Sequence, residues 1–149
     1  MLEITGDIWD YHAKGNWIVI TTNGTRRKDG ACVMGRGVAL ETKTKFPRLP
    51  YILGNEIKHR GNVVVALPEF RVITLPVKRQ WMEKADLHLI QVSLGRLVEL
   101  INCQNINIPT PIFLVRPGCG NGQLDWKNVK PILEKYLDDR FIIVERGTK

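Results

Sequence analysis

The chain has 149 residues, 44% of them apolar and 25% charged, a balance that excludes wholesale disorder and fits one globular domain. A domain of this size buries roughly 70% of the surface its unfolded chain exposes, so it needs no disulfide or metal staple. Lys and Arg number 22 against 15 Asp and Glu, a net charge of +7, which favours an anionic partner such as nucleic acid or a phosphorylated ligand. Cys32, Cys103 and Cys119 form no CxxC or Cys/His cluster, so neither a disulfide framework nor a structural zinc site is expected, and a reducing cytoplasm fits best. The N-terminal MLEITGDIWD is acidic and has no apolar segment of signal-peptide type. No apolar run approaches the ~20 residues of a membrane span, so no membrane partner is expected.

In chain order, Leu2 to Thr5 and Trp17 to Thr22 read as strands, with Gly6-Asp7 and Lys14-Gly15-Asn16 supplying turns between them. Asn23 to Gly30 is a polar, basic loop. Val38 to Phe46 carries helix formers and stops before Pro47. Pro50 to Arg60 reads as a helix with proline at its start and Gly61 past its end. Asn62 to Leu67 and Arg71 to Leu75 flank Pro68-Glu69 and predict a hairpin or a near neighbour of one.

Between Asp86 and Ile101 apolar residues recur at 87, 90, 94, 97, 98 and 101, the stripe of an amphipathic helix capped by Asp86. Ile106 to Ile108 and Ile112 to Val115 bracket Pro109-Thr110-Pro111, so a strand is broken or begins there. Asp125 is an N-cap for a helix from Trp126 to Leu137, and Phe141 to Val144 closes as a strand. The hairpin leaves no room for a helical crossover between its strands, whereas the other elements alternate. The expectation is an α/β fold, a mixed central sheet with helices on both faces.

Two glycine-rich segments follow strands and lead into helices: Met34-Gly35-Arg36-Gly37-Val38-Ala39-Leu40 and Pro117-Gly118-Cys119-Gly120-Asn121-Gly122. Glycine lets backbone N–H groups approach an anion with no Cβ in the way, and a helix N-terminus adds unpaired donors. Neither segment matches the Walker pattern or the dinucleotide fingerprint. Two such loops at the strand ends of one sheet can hold a diphosphate between them.

With these motifs the chain resembles the macrodomain family, the ADP-ribose-binding three-layer α/β/α fold, nearly from end to end as a single domain. Gly6-Asp7-Ile8 is similar to the family's GDI segment, whose Asp recognises the adenine amino group. Thr21-Thr22-Asn23 resembles the segment whose final Asn contacts the distal ribose. Gly35 to Ala39 resembles the first diphosphate loop, and Gly118 to Gly122 the second. VMGRGVAL, the Lys78-Arg79 pair in LPVKRQW, and GCGNGQLDW resemble the glycohydrolase branch, above all the antitoxin macrodomains that remove ADP-ribose from thymidine in DNA. That resemblance implies a catalytic role for Lys78. It implies ADP-ribose contacts for Asp7, Ile8, Asn23, Gly35, Arg36, Gly37, Val38, Gly118, Cys119, Gly120, Asn121 and Gly122, with no metal and no cofactor. Relatives acting on glutamate esters also carry an acid in the second loop, where this chain has Gly122. The loop GTRRKDGA after Asn23 is longer than in the antitoxins.

The implied function is an ADP-ribosyl glycohydrolase acting on ADP-ribosylated nucleic acid or protein, paired with a partner ADP-ribosyltransferase. The alternatives are a non-catalytic reader of ADP-ribose, an ADP-ribose 1''-phosphate phosphatase, and a basic nucleic-acid-binding domain. Individual residues have plainer readings too. Asp7 and Asn23 suit turns, Cys119 suits a tight loop, and Arg26, Arg27 and Lys28 suit either a solvated loop or the phosphates of a nucleic-acid substrate. Trp81 and Trp126 suit either the core or base stacking near a pocket.

Overall fold

A computed structural model describes residues 1–103 and 107–147. The strand β2 (Ile18–Asn23) shows how the chain divides. Ile18 and Ile20 pack to one face of the sheet, and Trp17 and Val19 to the other, because strand side chains alternate. Both faces of β2 are therefore apolar and buried, which is why its sequence reads as a continuous hydrophobic run.

The other strands are β1 (Leu2–Thr5), β3 (Val65–Leu67), β4 (Val72–Lys78), β5 (Ile112–Val115) and β6 (Phe141–Glu145). They form one six-stranded sheet in the order β1-β6-β5-β2-β4-β3. All neighbours are parallel except β3, which runs antiparallel to β4. The helices are α1 (Ile8–Ala13), α2 (Gly37–Lys45), α3 (Leu49–Arg60), α4 (Leu87–Asn102) and α5 (Trp126–Tyr136). Residues of α1, α2 and α3 pack into the core on one face of the sheet, and those of α4 and α5 into the core on the other. The three-layer α/β/α arrangement and the mixed sheet are as expected. Among the described residues, no helix is long and apolar enough to cross a membrane.

Helix α4 follows its sequence pattern. Asp86 accepts from the backbone N–H of His88 (2.8 Å) and of Leu89 (3.2 Å), and Ile90, Leu94 and Leu97 are fully buried. Each such side chain contributes about 1.5–3 kcal/mol of burial free energy. Asp125 likewise caps α5 through the N–H of Lys127 at 3.1 Å. The hairpin expectation also holds: β3 and β4 pair through a 3₁₀ turn at Pro68–Phe70, with Arg71 left-handed at φ 54°.

The sequence reading missed one helix and overextended one strand. The segment read as turns after β1 contains α1, six residues capped by Asp7, whose Oδ1 accepts from Trp9 N–H at 2.9 Å. A helix this short shows no readable period; it persists because Ile8, Trp9 and His12 are buried. Burial lowers the His12 pKa, and its Nε2 lies 2.7 Å from the Phe70 carbonyl oxygen. The strand read from Asn62 is paired only from Val65, because Asn62 turns its amide to the Lys78 carbonyl at 3.0 Å. Residues 107–108 lie in no strand, and Ile106 falls outside the described residues.

The basic loop after β2 is held against α3. Cys32 N–H donates to the Pro50 carbonyl at 2.8 Å, and Tyr51 Oη to Asp29 at 3.3 Å. Gly54 makes this approach feasible, since a Cβ there would overlap the Gly30 carbonyl. Gly54→Ala is therefore expected to cost about 1–3 kcal/mol in urea denaturation. Gly95→Ala in α4, whose Cβ meets only Tyr136 at 3.6 Å, should be neutral or stabilising by up to about 1 kcal/mol.

Candidate functional site

Because five strands are parallel, their carboxyl ends emerge along one edge of the sheet. Gly6 after β1, Asn23 ending β2, Lys78 ending β4, Arg116 after β5 and Arg146 after β6 surround a cavity of about 630 Å³. This is where open α/β sheets bind ligands. The first glycine loop, Gly35 to Ala39, and the second, Gly118 to Gly122, supply further walls. The cavity thus gathers Ile8, Asn23, Gly35, Arg36, Gly37, Val38, Lys78, Gly118, Cys119, Gly120, Asn121 and Gly122. Asp7 lies between two cavity residues, Gly6 and Ile8, with its carboxylate on the α1 cap and 4.0 Å from Arg146.

The glycines divide into two kinds. Gly37 (φ 57°) and Gly118 (φ 75°) are left-handed, and a Cβ on Gly37 would meet Asn121 Nδ2 at 2.8 Å, so the two loops touch there. A Cβ on Gly122 would run into the backbone of Gly118 and the Cβ of Ala85. This crowding leaves no space for the acidic side chain that ester-cleaving relatives would carry at this place. Gly35 and Gly120 are different, for a Cβ on either meets no atom within 4 Å.

Both loops present amides. Arg36 precedes α2 without a side-chain cap, so the N–H groups of the first turn, at Gly37, Val38 and Ala39, have no intrahelical acceptor. The second loop closes through Gln123 N–H to Gly120 O (3.0 Å) and Leu124 N–H to Gly118 O (2.9 Å). The amides of Gly120, Asn121 and Gly122 have no acceptor among the described residues.

Asn23 and Lys78 sit side by side because of a bulge. Thr22 pairs with Pro76, but the next pairing is Asn23 with Lys78, so Val77 is skipped. Proline has no N–H to continue the ladder, which is where such irregularities belong. Asn23 uses its amide locally, donating to Val33 O at 3.0 Å and accepting from Thr25 N–H at 2.9 Å. Lys78 reaches across to the second loop, Nζ donating to Asn121 O at 3.3 Å. Burial, and secondarily the charge of Arg36, lowers its pKa.

Sequence reading did not single out Arg116 or Arg146. Arg146 pairs with Glu41 at 2.7 Å, and Glu41 also accepts from Trp9 Nε1 at 3.0 Å, which joins β6, α1 and α2 at the Asp7 end. Arg116 pairs with Glu145 at 3.2 Å and lies over Trp126, 4.6 Å from the ring centre. Trp126 therefore packs at the core margin, whereas Trp81 stands at the cavity rim. Isolated arginines carry no motif; only the shared strand edge brings them here. Arg36, Lys78, Arg116 and Arg146 face a single lining acid, Glu145, so the cavity favours an anion. Burial pushes the Cys119 thiol up to about 11, which keeps it protonated and a poor nucleophile.

Two alanine substitutions test the division of the glycines. Gly122→Ala is expected to lower unfolding free energy by about 1–3 kcal/mol, as overpacking does. Gly120→Ala should leave the denaturation midpoint within about 0.5 kcal/mol of the parent.

No family model matches the chain. It is 31% identical over 108 residues to the human ADP-ribose glycohydrolase OARD1, covering 72% of this chain and 68% of that protein. It is 29% identical over 110 residues to a DNA ADP-ribosyl glycohydrolase of Mycobacterium tuberculosis, covering 66% of this chain but spanning only 30% of that relative's length. Among solved structures, the macrodomain of Mycobacterium tuberculosis DarG has a TM-score of 0.72 at 26% identity, covering 98% of this chain and 97% of the other. The macrodomain of Thermus aquaticus DarG gives 0.73 at 28% identity with the same coverage. A fold shared nearly end to end with these domains, joined to 31% identity over most of the chain, means that it belongs to the macrodomain family, in its glycohydrolase branch.

Proposed function

We propose that the chain is an ADP-ribosyl glycohydrolase, holding ADP-ribose in the strand-edge cavity while water replaces the group attached to the distal ribose. The bond from the anomeric carbon to that group breaks, the group leaves with a proton, and ADP-ribose departs with a new hydroxyl at that carbon. The reaction balances with water alone. The observation that carries it is Lys78: an amine of lowered pKa held beside Asn23, in a cation-rich cavity walled by two loops whose amides have no acceptor among the described residues. As a neutral amine it would attack the anomeric carbon or stabilise the positive charge that develops there. The loop amides would hold the diphosphate, and Asp7 would accept from the adenine amine with the oxygen not used by the cap.

The names of the mycobacterial and Thermus relatives, DNA ADP-ribosyl glycohydrolases, favour a nucleic acid as the modified group. A transferase that attaches ADP-ribose to the same acceptor is then the natural partner, and both would work in the cytoplasm. A second reading, a reader that binds ADP-ribose without cleaving, draws on Gly122, where crowding excludes the acid found in ester-cleaving relatives.

Binding and chemistry have separate tests. Millimolar ADP-ribose should raise the melting temperature by linkage, and Gly120→Val should abolish the rise without lowering the ligand-free value. Asp7→Ala should weaken ADP-ribose by about 1.5–3 kcal/mol while losing the parent's preference for it over the inosine analogue. No shift in the parent at all would overturn the ligand assignment.

Lys78→Ala should lose most hydrolysis of ADP-ribosylated oligonucleotide yet keep ADP-ribose affinity within several-fold, and Lys78→Arg should be nearly as inactive. If the neutral amine acts, kcat rises as pH climbs through the Lys78 pKa. Arg36→Gln removes a charge that lowers that pKa, so the rising limb should move to higher pH. Full binding with no release from any modified substrate would leave the reader.

A further inference from the structure

We propose that the loop from Gly24 to Val33, together with Trp81, is a docking platform for a single nucleic-acid strand that carries its ADP-ribose into the cavity. The proposal rests on the glycohydrolase reading above and extends it to how the macromolecule, rather than the ADP-ribose, is gripped.

The loop is a built element. Its base is the cavity wall itself, at Asn23 and Val33. Above that base, Val33 N–H donates to Thr25 O (2.9 Å), Arg26 and Cys32 form an isolated antiparallel bridge, and Arg27 N–H donates to Ala31 O (2.7 Å), so the loop is cross-linked up to the turn that carries Lys28. The loop rests on α3 where Gly54 admits the Gly30 carbonyl. A basic loop needed only for solubility requires no such support. A rigid one loses less conformational entropy when it binds.

The platform displays a run of cations with one aromatic ring fastened at its base. Arg26, Arg27 and Lys28 are exposed; Arg27 is shared with Asp29 at 3.8 Å, while Arg26 and Lys28 have no acidic partner among the described residues. At the base of the loop, on the cavity rim, stands Trp81, 45% exposed, its backbone N–H fastened to Thr25 Oγ1 at 3.0 Å. Cations follow phosphates and a flat indole stacks bases regardless of their identity, the pattern of single-strand binding surfaces. Of the neighbouring acids, Asp86 pairs with Arg79 and Asp29 with Arg27, while Glu83 keeps its charge and accepts from the Gln80 backbone N–H, which leaves Arg26 and Lys28 as the loop's cations with no acid of their own among the described residues. An acidic side chain would use the cations but offers no flat ring to Trp81.

The test compares hydrolysis of ADP-ribose borne on a single strand of about ten nucleotides, on the corresponding mononucleoside, and on an acidic peptide. Arg26→Ala/Lys28→Ala should lower kcat/KM for the strand at least tenfold and leave the mononucleoside within twofold. The salt slope of strand affinity should fall by about 1.4, two phosphates' worth for a single strand. Trp81→Ala should weaken the strand at least fivefold at fixed salt, and Trp81→Phe should recover most of that. The same slope is read with an unmodified strand, so the platform is tested even if no hydrolysis occurs, and that outcome would count against the glycohydrolase reading alone. Unchanged strand affinity and salt slope in the double variant would overturn the platform while leaving the enzyme intact. Equal losses for strand and peptide would also overturn it, since the surface would then be a general anion contact.

Discussion

The parallel pairing of β2 with β4 on one side and β5 on the other is the constraint on which this structure depends. Parallel neighbours cannot be joined by a tight turn; each must be reached through a crossover that returns the chain to the same end of the sheet. The helices are consequences of that rule, and so is the site. Five strands leave the sheet at one edge, bringing residues as distant in sequence as Gly6, Asn23, Lys78, Arg116 and Arg146 to one cavity. Only β3 escapes the rule, because the 3₁₀ turn at Pro68–Phe70 is too short for a crossover.

Within that frame small irregularities place the chemistry. Pro76 interrupts the ladder to β2, and the resulting shift sets Lys78 opposite Asn23 instead of one residue away. The lysine then meets the second loop across the cavity, partly withdrawn from water and near Arg36, which together lower its pKa. The glycines around it serve different ends. Gly37, Gly118 and Gly122 let the loops form and touch, while Gly35 and Gly120 leave open the space a side chain would fill. A single motif therefore combines folding requirements with ligand requirements, and the acid missing at Gly122 reflects the first kind.

The positive charge is also organised at two levels. Inside the cavity, arginines are tethered by acids: Arg146 by Glu41 and Asp7, and Arg116 by Glu145. These pairs hold the guanidinium groups in place more than they stabilise the fold, since partly exposed ion pairs are worth little. Outside, the bridged loop above Thr25 displays cations, and Trp81 is fastened at its base. The net charge of +7 is thus partly concentrated around the strand edge.

Much of the protein was legible in the residues themselves. A continuous apolar run, a period of three to four, Asp caps and a proline stop located β2, α4, α5 and α2, because these signals are local and strong. The two glycine loops marked the cavity for the same reason, as each is a contiguous run. Helix α1 escaped, since six residues carry no period and only burial of Ile8, Trp9 and His12 keeps them helical. Lys78 could be singled out only through its likeness to a family, because one lysine among 22 basic residues has no local signature. Arg116 and Arg146 had not even that. Sequence by itself determined the layered α/β class, the caps and the amide-bearing loops. The tertiary structure alone decided which side chains meet, because parallel strand order and a one-residue bulge are set by packing between segments far apart in the chain.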